Sequence, residues 1–235
     1  MSIKIVQDTP KKMYNEVSSI VNDCFEGVWS ADDLLQLIEI PHEDTAFMVA
    51  YVNDKPVGYT FVIADYIDEV DEKIATIQEF GLLPEYRDSD IASNLLEKAI
   101  VFSKESKANL MEQVVSIIDQ WIIPTLIKNN LRPSEIKADR EISTPNEAKL
   151  ILTNLRKCPK LNVIMNQLFY ENNSDLETHI IENEFDLDDI PRNDPIAFGS
   201  VISVDKTEDL ENTLEELKKT KVEWDEIGIT FDYTL

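Results

Sequence analysis

Hydrophobic and polar residues along the first 140 positions follow helix spacing and strand spacing in turn. From Met13 to Phe25, apolar side chains recur every three or four residues, which predicts an amphipathic helix. Ser30 supplies an N-cap for a second helix over residues 31–38. The pattern further predicts strands at 3–7, 45–52, 57–66, 73–83, 110–118 and 136–141, and helices at 89–106 and 121–129.

The segments 45–52 and 57–66 are separated by Asn53-Asp54-Lys55-Pro56, a run of turn residues. Both segments are rich in β-branched and aromatic residues, so we predict that they pair as an antiparallel hairpin. A helix in either segment would contradict a sheet-based fold for this part of the chain.

The composition of the chain shifts near Ser143. Thr144-Pro145-Asn146-Glu147 combines a capping box with proline at the first helical position. We therefore expect a first domain, 1–140, and a smaller C-terminal α/β region, 141–235, which needs the first domain or another subunit to bury its open face. In the second region the pattern predicts helices at 145–157, 159–170 and 175–184, then a strand at 196–204, a helix at 208–220 and a strand at 227–233.

Acidic residues dominate the charge of the chain. It carries 46 Asp and Glu against 22 Lys and Arg, a net charge of -24. Phosphate backbones and anionic membranes attract basic surfaces, so this charge argues against both as partners and favours a cationic partner or an amine substrate. Solubility alone is the other explanation of the charge. The N-terminal residues lack the pattern of a signal peptide, and we expect a cytoplasmic protein.

Cysteine and histidine are too few to support several classes of site. Cys24 and Cys158 are far apart and form no CxxC motif, which argues against a disulfide framework and a zinc site. His42 and His179 are the only histidines, so a Ser-His-Asp triad or a histidine metal site has little material. We expect no metal.

The segment 77–96 carries the most informative pattern. A predicted strand ends in Pro84-Glu85-Tyr86, and Arg87-Asp88-Ser89-Asp90-Ile91-Ala92 opens a predicted helix. This segment resembles the acetyl-CoA-binding motif of the GNAT superfamily of N-acetyltransferases, in which Pro-Glu-Tyr precedes Arg/Gln-x-x-Gly-x-Gly/Ala. Arg87 and Ala92 match that motif, whereas Asp90 stands where the family has glycine.

The resemblance covers roughly residues 1–140, because the order of elements matches throughout. Trp29-Ser30, the hairpin turn before Gly58, and Asn130-Leu131-Arg132-Pro133 are each similar to short family patterns. It implies an α/β fold with a mixed, mostly antiparallel sheet flanked by helices, plus the smaller C-terminal α/β region. The implied activity is transfer of an acetyl group from acetyl-CoA to a small-molecule or protein amine, with a homodimer left open.

The resemblance also implies which residues form the site. The backbone of Leu82 and Leu83 would contact the pantetheine arm, and Glu79 would accept the proton of the amine. A helix N-terminus offers unpaired N–H groups and partial positive charge, which suits a pyrophosphate. By resemblance, the pyrophosphate would lie on Arg87, Asp88, Ser89, Asp90, Ile91 and Ala92.

Three positions depart from the family pattern. Asp90 replaces a glycine, Asp119 falls where an asparagine contacts the cofactor, and Leu126 stands where a tyrosine donates a proton to the leaving group. A carboxylate at position 90 can take up N–H groups and repel phosphate, which predicts weakened acetyl-CoA binding. The alternative to an enzyme is therefore a GNAT fold that has lost catalysis and serves as a binding or protein-interaction module.

Overall fold

The computed structural model describes residues 3–25, 27, 29–68, 70–172, 175–181, 190 and 194–235. By the packing of its residues, the chain divides into two compact units. The first unit comprises Met1–Val114, Trp121–Leu131 and Asp232–Leu235, and the second comprises Val115–Gln120 and Arg132–Phe231. The predicted domain boundary after residue 140 stays a prediction. The strand Arg132–Glu141, which ends at that boundary, is grouped with the second unit.

The first unit is built on a sheet in the order β1–β2–β3–β4–β5. The first three pairs are antiparallel and the β4–β5 pair is parallel, which confirms the mixed, mostly antiparallel sheet. Its strands are β1 (Ile3–Asp8), β2 (Asp44–Val52), β3 (Lys55–Ile67), β4 (Glu72–Leu82) and β5 (Leu110–Ser116). Its helices are α1 (Pro10–Ser18), α2 (Val21–Cys24), α3 (Ala31–Glu39), α4 (Ile91–Glu105) and α5 (Ile123–Lys128).

The predicted hairpin is confirmed by β2 and β3. These strands pair in antiparallel register from Asp44↔Ala64 to Val52↔Lys55. Asn53 and Asp54 make the turn with φ values of 50° and 62°, a left-handed conformation that both residue types tolerate. The turn sets the register next to it, and a β-bulge between Ala50 and Tyr51 shifts the register of the remaining pairs.

The core of the first unit lies on both faces of the sheet. On one face, Phe47, Tyr59 and Phe61 are fully buried and pack with residues of α1, α2 and α3. On the other face, α4 contacts β2 and β3. Five apolar residues of α4 are buried at this contact: Ile91, Leu95, Leu96, Ala99 and Phe102.

Ser30 caps α3, as the sequence predicts. The Asp33 N–H donates to Ser30 Oγ at 3.2 Å, and the Ser30 N–H donates to Asp33 Oδ2 at 2.9 Å. The two residues form a capping box that satisfies N–H groups left without partners at the helix start.

We predict that Ser30→Ala lowers the free energy of unfolding by about 1 kcal/mol, because the cap is lost. Urea denaturation followed by circular dichroism would measure the change. Ser18→Ala is the control, since the Ser18 hydroxyl donates to the Asn15 carbonyl at the other end of a helix and caps no N–H. Equal midpoints for the two variants would contradict the role of the capping box.

The second unit carries a sheet in the order β10–β6–β9–β7–β8. Helix α6 connects β6 to β7, and α7 connects β9 to β10, as in the ferredoxin-like βαββαβ unit with β8 added at one edge. Its strands are β6 (Arg132–Glu141), β7 (Val163–Asn172), β8 (Asp175–Ile181), β9 (Ala197–Ser203) and β10 (Glu226–Thr234), and its helices are α6 (Pro145–Arg156) and α7 (Leu210–Lys219).

Two helices predicted for the C-terminal region are wrong. Residues 159–170 and 175–184 were expected to be helical, but their described residues include the antiparallel hairpin of β7 and β8. Residues 182–184 lie outside the described part of the chain. Strand β7 also pairs with β9, and this non-local pairing overrides an apolar spacing that a helix would equally satisfy. The predicted helix after Thr144 and the final strand–helix–strand are present.

Candidate functional site

The end of β4 presents a backbone edge that β5 leaves uncovered. Among the described residues, the parallel pairing of β4 with β5 runs only from Ile74↔Leu110 to Ile77↔Gln113. The pairing of β4 with β3 on the other edge continues to Leu82. The two strands therefore diverge just where the sequence places the candidate site.

Glu79 lies on this diverging segment, next to a β-bulge. Phe61 pairs with Glu79 and Val62 pairs with Ile77, so Gln78 is the additional residue of the bulge. Cross-strand partners share a face of a sheet, which places the Glu79 side chain on the face of Phe61. That face also carries α1, α2 and α3, and the Glu79 residue is half-buried there.

Tyr59 is a site residue that the sequence did not reveal. Its cross-strand partner is Gly81, and its ring atom Cε1 lies 2.7 Å from the point where a Cβ on Gly81 would lie. The Tyr59 ring therefore lies over β4 at Gly81, in the space that a side chain would otherwise fill. Burial, then the charge of Glu79, then Cys24 raise the pKa of Tyr59 well above its ordinary value. The one available signal was Gly81, because glycine inside a strand often marks a close approach.

Leu82 and Leu83 use their backbone groups differently. The Leu83 N–H donates to the Val57 carbonyl at 2.9 Å, and the Leu83 carbonyl accepts from Tyr86 N–H at 2.9 Å. Because backbone groups of consecutive strand residues point to opposite edges, those of Leu82 face the edge that β5 leaves. Of the two predicted contacts to a pantetheine arm, Leu82 is the one placed to make it.

The Arg87 side chain is held against β4. Its Nε donates to the Leu82 carbonyl at 3.3 Å and its Nη2 donates to the Cys24 carbonyl at 2.8 Å. The guanidinium also stacks on the Trp121 ring, 5.0 Å from its centroid, and that ring lies 6.2 Å from the Phe80 ring. The Arg87 side chain would therefore have to move to make the predicted contact with a pyrophosphate, and its backbone N–H already donates to the Pro84 carbonyl at 3.3 Å. Trp121 is a second residue that sequence reasoning missed.

The loop before α4 holds the other predicted binding residues. Ser89 Oγ donates to the Tyr86 carbonyl at 2.5 Å and accepts from the Ile91 N–H at 3.3 Å, so serine caps the helix start. The Asp90 side chain makes no capping hydrogen bond and is 83% exposed, with its Oδ1 3.4 Å from Lys128 Nζ. The expectation that Asp90 takes up helix N–H groups is wrong, because its carboxylate points to a lysine instead.

Asp88 is exposed at the surface of this loop, whereas Ile91 and Ala92 are buried at the first turn of α4. A helix of this length carries a partial positive charge at its N-terminus. The loop therefore keeps the main feature that an anion site needs, although one residue of the family pattern is replaced.

Position 126, where the family has a proton-donating tyrosine, holds a buried apolar side chain. Leu126 is fully buried in α5, and its carbonyl accepts from the Leu131 N–H at 3.0 Å. Asn130 adopts φ 66° after this helix, as a left-handed cap should. Asp119 lies in a 3₁₀ segment grouped with the second unit, at a kink with φ -96° and ψ 34°.

The described parts of the chain offer little for metal or thiol chemistry. No group of three or more His, Cys, Asp or Glu side chains is placed there to hold a metal ion. Burial raises the pKa of the Cys24 thiol to about 12, and the nearby Arg87 lowers it only in part. Cys24 therefore stays a thiol near neutral pH and is a poor nucleophile.

None of the described helices has both the length and the apolar surface to cross a bilayer.

Comparison with known proteins identifies the same region. Residues 14–117 match the sequence model of the acetyltransferase (GNAT) family. An uncharacterized N-acetyltransferase of Methanocaldococcus jannaschii is 29% identical over 82 residues, which are 34% of this chain and 36% of the relative. The aligned part thus spans about a third of that curated relative.

Solved structures of acetyltransferases also align with the chain. A GNAT-family acetyltransferase from Streptococcus pneumoniae aligns with 18% identity and a TM-score of 0.47, over 60% of this chain and 89% of the other. The PaiA N-acetyltransferase of Thermoplasma acidophilum, solved with coenzyme A, aligns with 17% identity and a TM-score of 0.43, over 57% of this chain and 91% of the other.

Proposed function

We propose that this protein, whose residues 14–117 match the sequence model of the GNAT acetyltransferase family, moves an acetyl group from acetyl-CoA to an amine. The observation that carries the proposal is the diverging end of β4. It brings a half-buried carboxylate, Glu79, and the open backbone edge of Leu82 together, directly before the loop that begins α4.

The chemistry assigns one role to each part of this segment. A new N–C bond forms between the amine nitrogen and the acetyl carbon, and the C–S bond to coenzyme A breaks. The amine must be neutral to attack, and Glu79 accepts its proton directly or through a water molecule. The Leu82 backbone aligns the pantetheine arm, and the N-terminus of α4 receives the pyrophosphate.

The departing thiolate has no tyrosine to protonate it at position 126. A free thiol has a pKa of about 8.5, so its thiolate is a tolerable leaving group near neutral pH. The buried Leu126 therefore makes the reaction slower without abolishing it. The net charge of -24 favours a cationic amine, small or part of a protein, over nucleic acid or an anionic membrane.

A specific contact supports the second candidate, a binding or protein-interaction module. The Leu82 carbonyl on the open edge is already bonded to Arg87, and Trp121 stacks on that guanidinium. Acetyl-CoA must compete with this contact. If Arg87 keeps its place, the fold retains the diverging strands β4 and β5 without using them for acetyl transfer.

Acetyl-CoA binding and acetyl transfer can be measured separately. At a hundred times its dissociation constant, a ligand of the folded state stabilises it by about 2.7 kcal/mol, which we expect to raise the Tm by several degrees. ATP at the same ionic strength controls for unspecific anion binding. Mass spectrometry of a panel of mono- and polyamines then detects acetylation. A raised Tm without any acetylated amine would favour the binding module, and no response to acetyl-CoA would contradict the proposed enzyme.

A further inference from the structure

We infer that Tyr59 is a positioning residue for Glu79, whose carboxylate accepts a hydrogen bond from the Tyr59 hydroxyl when coenzyme A is bound. The inference deepens the proposed function and rests on the role of Glu79 given there. No sequence pattern pointed to Tyr59, since the contact depends on the register of β3 and β4.

The register places the two side chains on one face of the sheet. Tyr59 is opposite Gly81 and Phe61 is opposite Glu79, so Tyr59 and Glu79 are diagonal neighbours across β3 and β4. Long and aromatic side chains reach each other across such a diagonal. Because Gly81 has no side chain, the Tyr59 ring lies close over β4 there, beside Cys24 and Phe25.

Among the described residues, the buried Tyr59 hydroxyl has no hydrogen-bond partner. Tyr59 has no exposed surface, and its oxygen is among the buried polar atoms that lack a partner. Leaving a buried hydroxyl unpaired costs free energy, whereas phenylalanine would fill the same space at no such cost. The ring packs edge-on against Phe47 at 5.8 Å and Phe25 at 6.5 Å, contacts that phenylalanine would also make. Packing therefore explains the ring and leaves the hydroxyl unexplained.

The groups around the hydroxyl identify its partner. Glu79 from β4 and the Cys24 thiol from α2 are the ionisable groups that act on Tyr59, while Asp23, Glu85 and Arg87 act on Cys24. A thiol is a weak acceptor, and a carboxylate is a strong one. Glu79 is thus the group that can satisfy the hydroxyl, once coenzyme A is bound and the Glu79 side chain turns toward Tyr59.

Tyr59 is not a replacement for the missing proton donor. Burial and the neighbouring carboxylate raise the pKa of Tyr59 well above its ordinary value, so the phenol keeps its proton. A thiolate of ordinary basicity cannot take a proton from such a group. A hydroxyl that stays protonated is suited to hold a carboxylate in place and to favour its ionised form.

Tyr59→Phe tests the inference, with Tyr51→Phe as the matched control. Tyr51 is a partly buried tyrosine of the adjacent strand β2, near a different carboxylate, Glu16. The probe is coenzyme A, and ¹³C NMR follows the titration of the Glu79 carboxyl with and without it, assigned by Glu79→Gln. We expect Glu79 in Tyr59→Phe to titrate at higher pH than in the parent, because a donor to its charged form is lost.

Kinetics supply the second measurement. We expect kcat of Tyr59→Phe to fall about tenfold, the effect of losing one hydrogen bond to a charged group, while KM for acetyl-CoA stays unchanged. The acidic limb of the pH profile should move to higher pH. Tyr51→Phe should match the parent in all three measurements. The Tm of Tyr59→Phe should be no lower than that of the parent, which excludes a folding defect.

The outcomes separate this inference from the proposed function. A parent protein that acetylates no amine, together with a shifted Glu79 titration in Tyr59→Phe, would overturn the function and support the pairing. An active parent whose Glu79 titration and kcat are unchanged by Tyr59→Phe would overturn the pairing and leave the function standing.

Discussion

Glu79→Gln is expected to lower the kcat of acetyl transfer about 10²- to 10⁴-fold, the usual contribution of a positioned general base. Glutamine has nearly the same shape but accepts no proton from the amine. The Glu79 side chain shares a face with Tyr59 and Phe61, whereas the open backbone edge belongs to Leu82. The affinity for acetyl-CoA should therefore change little, and isothermal titration can measure it beside steady-state turnover.

Glu72→Gln is the control for this substitution. Glu72 is exposed at the start of the same strand, where it pairs with Ile67, so the variant removes an equal charge far from the bulge. Unchanged turnover in Glu79→Gln would mean that another group is the base, even with the family assignment intact. Loss of acetyl-CoA binding in the same variant would instead indicate a structural role.

The structure also argues against restoring the missing proton donor by substitution. Leu126→Tyr follows naturally from the family pattern, because a tyrosine at that position would protonate the thiolate. However, Leu126 is fully buried, and a larger ring there would overpack the contacts of α5. Leu126 is therefore part of the packing of this helix, and we expect that Leu126→Tyr alone does not supply a proton donor.

Local patterns predicted the parts of the fold whose causes are local. The turn at Asn53 and Asp54 and the cap at Ser30 both depend on neighbouring residues in the sequence. The hairpin of β7 and β8 was missed because its strand character comes from pairing with β9, which is more than twenty residues away in the chain.

The site shows the same division. Glu79 and the loop before α4 could be found because they are contiguous with the motif. Tyr59 and Trp121 could not, since their places depend on strand register and on packing across the first unit. The position of the Arg87 guanidinium is set by the backbone carbonyls of Leu82 and Cys24. Cys24 is far from Arg87 in the sequence, so no local pattern reveals this contact.

The predicted effect of Asp90 on acetyl-CoA binding has two possible origins, the charge of its side chain and the conformation of its backbone. Its φ of -72° and ψ of 0° are accessible to any residue, so the fold does not need glycine at this position. What remains is the negative charge beside the start of α4. The carboxylate is mostly exposed and has Lys128 nearby, so screening reduces its repulsion of a pyrophosphate.

We therefore predict that Asp90→Asn and Asp90→Gly tighten acetyl-CoA binding alike, about tenfold at low salt, where a factor of ten corresponds to about 1.4 kcal/mol. Glu105→Gln, at the far end of α4, removes the same charge and should have little effect. Lys128→Met should weaken binding, because it leaves Asp90 without its cation. Titrations at two salt concentrations decide the matter, since the gain must shrink as salt rises. If only Asp90→Gly binds acetyl-CoA more tightly, the pyrophosphate needs the free backbone of glycine at this position. If all variants bind acetyl-CoA equally well, Asp90 has no part in binding it.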